Sequence, residues 1–161
     1  MSFYDKNKSL RGNSLREGIT DLFTSLVNPN FKSSYELEMN CAKILAYLFG
    51  MDIFKTHFSN NPSEFYLQFR FCTNIIRKII NCLDKHQKYQ ETALKFSLRG
   101  KIFDYSNMKY NFHDLFDCFD KLAHVLKIDE EEYKNYVSEL LSSSQYMIEL
   151  CETMEYNVRE K

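Results

Sequence analysis

Only two prolines and four glycines interrupt this chain of 161 residues. So few breakers leave little room for tight turns, and they favour long helices over an all-β meander. Pro29 ends a first amphipathic stretch, Ser14 to Val27, in which Leu15, Ile19, Leu22, Phe23 and Leu26 fall on one face. Ser33 and Glu36 have capping-box spacing and predict a second helix from Ser34 to Phe58, weakened at Gly50. "NNPSE" is the clearest start signal: Asn61 can cap, Pro62 suits the first helical position, and Glu64 follows three residues after Asn61. The third helix runs from there to Leu98, where Gly100 punctuates it. A fourth spans Ser106 to Leu126. Asp129 and Glu132 then open a fifth, from Glu130 to Asn157. The pattern predicts an all-α, bundle-like fold of four to five long helices, with residues 1–12 a flexible polar lead and 13–161 a single helical domain.

Hydrophobic residues make up 44% and charged residues 27%, enough of each for an ordered core and a solvated surface. The formal net charge of −1 gives no sign of a nucleic-acid partner. Cys41, Cys72, Cys82, Cys118 and Cys151 are odd in number and far apart, so neither a zinc framework nor a disulfide framework fits them. They read as reduced, buried thiols in an intracellular, reducing compartment. No secretory leader is read in the polar N-terminus, and no apolar run reaches membrane-spanning length. The sequence holds no glycine-rich phosphate loop, no H-E-x-x-H and no G-x-S-x-G. The reading is therefore non-enzymatic, without a cofactor or a small-molecule substrate.

The segment Phe65 to Lys88, "FYLQFRFCTNIIRKIINCLDKHQK", carries most of the functional argument. At about 100° per residue, Phe65, Phe69, Cys72, Ile76, Ile79, Ile80 and Leu83 line one side. Phe71, Ile75 and Cys82 flank them. The opposite arc sets Arg70, Arg77, Lys78, Lys85 and Lys88 against the single acid Asp84. A basic amphipathic helix of this kind can lie in a membrane interface, its cations on anionic headgroups. The competing reading is a bundle helix with a solvated basic face.

A second constellation is "HDLFDCFDKLAH", where His113, Asp117, Asp120 and His124 form one helical stripe. Imidazoles and carboxylates can ligate a divalent metal. Four ligands strung along one helix span too far for one ion, however. The opposite face (Phe112, Leu115, Phe116, Phe119, Leu122, Ala123, Leu126) is apolar, so the stripe is the side expected to meet water, and no metal is assigned to it.

Several segments, taken in order, resemble the peroxin-11 family, which elongates and helps divide the peroxisomal membrane. They are "DLFTSLVNPNFKSSYELEMNCAKILAYLF" (21–49), "RKIINCLDKHQKYQETALK" (77–95) and "NFHDLFDCFDKLAHVLKI" (111–128), followed by the helix from Tyr133 onward. The resemblance is one of order, length and apolar pattern. It implies a non-catalytic, peripheral membrane-remodelling protein on the cytosolic face of the peroxisomal membrane, acting in organelle fission. Anionic membrane lipids would be its partners, and self-association into a homo-oligomer would concentrate the effect. The resemblance assigns membrane binding to the helix of about 65–88. Arg70, Arg77, Lys78, Lys85 and Lys88 would face headgroups, while Phe65, Phe69, Ile76, Ile79 and Leu83 would enter the acyl layer and wedge one leaflet apart. The alternative is a soluble all-α protein–protein interaction module with no membrane role.

Overall fold

A computed structural model describes residues 12–56 and 62–160. Among these the chain is all-helical, with seven α-helices in place of the four to five expected. They are α1 (Asn13–Val27), α2 (Glu36–Phe49), α3 (Pro62–Leu67), α4 (Thr73–Leu98), α5 (Ser106–Val125), α6 (Glu130–Leu141) and α7 (Gln145–Thr153). Short 3₁₀ turns cover Met51–Thr56, Arg70–Cys72 and Val158–Glu160.

The extra helices come from breaks inside the predicted ones. Gly50 takes φ 89°, a left-handed value that closes α2 and hands the chain to the 3₁₀ turn at Met51. The stretch expected to be one helix from Pro62 to Leu98 is interrupted before Thr73. There Phe69 N–H bonds to the Tyr66 carbonyl and Cys72 N–H to that of Phe69. These tight bonds turn the chain so that Phe49, Phe65 and Phe69 stack edge to face. The last predicted helix splits at Ser142–Ser144. Ser142 and Ser143 bond back to the carbonyls of Ser138 and Leu140, and Ser144 caps α7 by accepting from Met147 N–H at 3.1 Å.

Other signals fall where the residues put them. Asp129 Oδ1 accepts from Glu132 N–H at 2.9 Å and starts α6. Ser33 does not form the expected box with Glu36. Its Oγ accepts from Tyr35 N–H and its hydroxyl donates to Asp21 of α1, and α2 begins at Glu36. Asn61 lies outside the described residues, as does the lead 1–11.

α1 and α2 pack as one antiparallel pair, α4 and α5 as a second, and α6 and α7 close against them. The core joins Leu15, Ile19 and Leu22 of α1 to Ile44 and Leu45 of α2, Ile76, Ile79 and Leu83 of α4, and Phe112, Phe116 and Phe119 of α5. Tyr156, just past α7, lays its ring on Phe112 and Phe116 at 5.6 and 5.0 Å between centroids. Such pairs add about 1 kcal/mol each beyond the area they bury.

Candidate functional site

The 65–88 segment had two readings, a membrane-facing helix and a bundle helix with a solvated basic face, and the fold turns its apolar side inward, as the second has it. Phe69 is 1% exposed, and Ile76, Ile79 and Leu83 are each 0% exposed. Phe65 is half-buried against Phe69 and Tyr66. The assignment of these five to an acyl layer is therefore corrected: their burial stabilises the fold by about 2 kcal/mol per side chain, and lipid contact would require dismantling it. The cations of the same segment do lie outside. Arg77, Lys78, Lys85 and Lys88 are exposed, and Arg77 stacks its guanidinium 4.9 Å from the Tyr66 ring centre. The Arg70 side chain lies outside the described residues. Asp84 is engaged, accepting from the N–H groups of Gly12 (2.8 Å) and Ser14 (3.4 Å) at the start of α1.

His113 and Asp120 of the α5 stripe serve the fold. His113 Nε2 meets the Met154 carbonyl at 2.9 Å and its ring abuts Tyr156. The Asp120 charge acts on the buried hydroxyls of Tyr133 and Tyr156, whose pKa values burial, and then that charge, push upward. His124 is exposed at the far end. Among the described residues no three His, Cys, Asp or Glu side chains gather as a ligand set.

The thiols are all free. Four are buried and Cys151 is half-buried. Burial raises each of them, Cys82 and Cys151 to about 11, so they stay protonated and poorly nucleophilic at neutral pH. The surface clefts are shallow and open. One is lined by Lys109, Tyr110, His113 and Asp117, another by Ser138, Leu141 and Cys151.

What the surface does offer lies at the other end of α4. Gln90 Nε2 donates to Tyr146 Oη at 2.7 Å and ties the helix to α7. From Glu91 onward every α4 side chain is exposed or at most half-buried. Leu94 is 60% and Leu98 79% exposed, one turn apart on one face, and Ile102 beyond the helix end is 95% exposed. Lys95, Arg99 and Lys101 stand among them, with Glu91 and Asp104 the neighbouring acids. Ala93 is half-buried between these outward residues.

The sequence builds this tip firmly. Gly100, at φ 67°, closes α4 with a Schellman turn: Lys101 N–H bonds to the Phe96 carbonyl at 2.8 Å and Gly100 N–H to that of Ser97 at 3.1 Å. Phe103 wedges edge-on between Phe96 and Tyr105, at 5.6 and 4.9 Å. Asp104 accepts from Ser106 N–H and Oγ and starts α5; those bonds hold its carboxyl below the usual range. The aromatic side chains thus fix the reversal from within, while the aliphatic ones project. Sequence reading took Gly100 only as a stop. Leu94 and Leu98 before it have i, i+4 spacing in the sequence, but only the fold shows that both are exposed among the described residues.

No protein-family model matches this chain, and neither does any curated protein or solved structure. Among the described residues no helix is long and apolar enough to cross a membrane.

Proposed function

We propose that this chain is a non-catalytic helical domain that docks peripherally on an anionic membrane surface through the tip of the α4–α5 hairpin. The exposure of Leu94, Leu98 and Ile102 among three cations carries the reading. Apolar side chains set on a projecting, internally braced turn suit the headgroup–acyl boundary, and Lys95, Arg99 and Lys101 suit anionic headgroups. Burying the three aliphatic side chains offers about 5 kcal/mol before losses, and each cation near the surface adds about 1 kcal/mol. That magnitude fits reversible docking. It does not fit a stable anchor or a leaflet-splitting wedge. The resemblance to the peroxin-11 family favours lipid over protein as the partner, with the contact moved from the 65–88 face to the helix end.

A second reading, a protein-interaction module, rests on the same leucines. Leu94 and Leu98 at i and i+4 also suit an apolar groove on another protein. Flotation with phosphatidylcholine vesicles containing 30% or no phosphatidylserine separates the two (about a third anionic lipid gives a strong surface potential). Co-flotation that depends on phosphatidylserine and weakens with salt supports membrane docking. A protein that stays at the bottom at low salt overturns it and leaves the protein partner.

A further inference from the structure

Glu38 is a carboxyl inside the fold, only 3% exposed, on the face of α2 that α1 crosses. The crossing is close: a Cβ added to Gly18 would stand 2.3 Å from the Glu38 carbonyl oxygen. Two more carboxylates, Glu17 and Asp21, face Glu38 from α1 on either side of Gly18. From α4, Gln87 hydrogen-bonds Glu38 and also donates Nε2–H to Glu17 Oε2 at 3.2 Å. Tyr35, just before α2, bonds Glu17, and Tyr146 of α7 and Cys41 of α2 both feel the Glu38 charge. The start of α1 is fastened separately, by Asp84.

We propose that Glu38 is a proton-held latch for α1: with its proton on, it lets α1 seat across α2 and α4, and on ionising beside Glu17 and Asp21 it loosens that helix. The physical reason is plain. A buried carboxylate between two others pays both desolvation and repulsion, whereas a neutral carboxyl can donate or accept a hydrogen bond there. Burial first, and then Glu17 and Asp21, raise Glu38 to about 7, against the lowering effect of its backbone and Gln87 hydrogen bonds. A carboxyl whose folded value is raised stabilises fully below its unfolded value and loses that contribution as pH rises through the folded one. The loss therefore runs from about 4.5 to about 7, and α1 is loosest above neutrality. Opening would uncover Leu15 and Ile19 of α1 and the Ile80 edge of α4, which meets Gly12. The latch is independent of the hairpin tip.

The test combines ¹³C-carboxyl NMR of Glu38 with amide hydrogen exchange, corrected for intrinsic rates, at pH 5 and pH 8. The expected result is a Glu38 midpoint near 7 and a fall in α1 protection of at least about tenfold between the two pH values, one pKa unit of coupling or more, read as the difference from Glu38→Gln. Glu38→Gln abolishes the fall. Glu17→Gln with Asp21→Asn, which leaves the buried group in place, moves the midpoint down. A midpoint near 4.5, or a fall in α1 protection that Glu38→Gln retains, overturns the proposal.

Discussion

Gly18 of α1 sits directly against the backbone of Glu38 in α2, with room for a hydrogen and none for a methyl group. The nearest atoms are the Glu38 carbonyl oxygen and carbon, which cannot swing away as a side chain tip can. In an isolated helix alanine would be favoured over glycine by about 1 kcal/mol. Here Gly18→Ala is expected to destabilise by about 3 kcal/mol, because the helices must move apart. Urea unfolding measures it, and a stabilised variant would show that the crossing is looser than described.

His86 presents a different strain. It is 0% exposed beside Phe112, and among the described residues neither ring nitrogen has a hydrogen-bond partner. Burial lowers its pKa to about 4, so the ring is neutral in the fold. For a base with a lowered folded value, stability is full above about 6.5 and is lost as pH falls toward about 4. Glu38 acts in the opposite direction over an overlapping range, so the His86 contribution is read as a difference. Unfolding curves of the wild type and of His86→Leu at pH 7.5 and pH 5 should diverge at the lower pH, where the variant keeps up to about 2 kcal/mol that the wild type loses. Parallel behaviour at both pH values would contradict the assignment.

At the hairpin tip, stability and binding should separate. Leu98→Ser with Ile102→Ser removes two exposed side chains and is expected to change unfolding free energy by less than about 0.5 kcal/mol. The same pair should reduce co-flotation with phosphatidylserine vesicles at least tenfold, since about 1.4 kcal/mol of lost burial suffices for that factor. A drop in thermal stability instead would mean that these residues support the core.

The α6 cap gives a smaller, sharper test. Asp129 Oδ1 accepts from Glu132 N–H, and the first turn carries Glu130, Glu131 and Glu132. Asp129→Ala is expected to cost about 1 kcal/mol, chiefly by freeing that N–H. Circular dichroism on heating would register it. Ser144→Ala at the start of α7 should behave alike, because its Oγ plays the same part for Met147.

Much of this fold could be read locally. α1 follows the predicted stretch to within one residue at its start, and α5 differs from the prediction by one residue at its end. Both are strongly periodic, and Pro29 and Gly100 bound their neighbourhoods. The break at Gly50 was legible as a weak point, whereas those before Thr73 and at Ser142 to Ser144 were harder to see. Neither of these two carries a proline or a glycine. For the candidate site, the basic arc of α4 was legible and is exposed, but its apolar arc has two solutions of equal pattern.

The sequence by itself determined that this chain is helical, where several helices start, and which side of each is apolar, because caps and periodicity act within a few residues. Only the tertiary structure decided what meets each apolar side. It placed Ile76, Ile79 and Leu83 under neighbouring helices and left Leu94, Leu98 and Ile102 uncovered. It also brought Glu17 and Asp21 against Glu38, from a different helix. Hydrophobic burial is non-directional, so a pattern states that a face will be covered, and the packing of distant segments states by what.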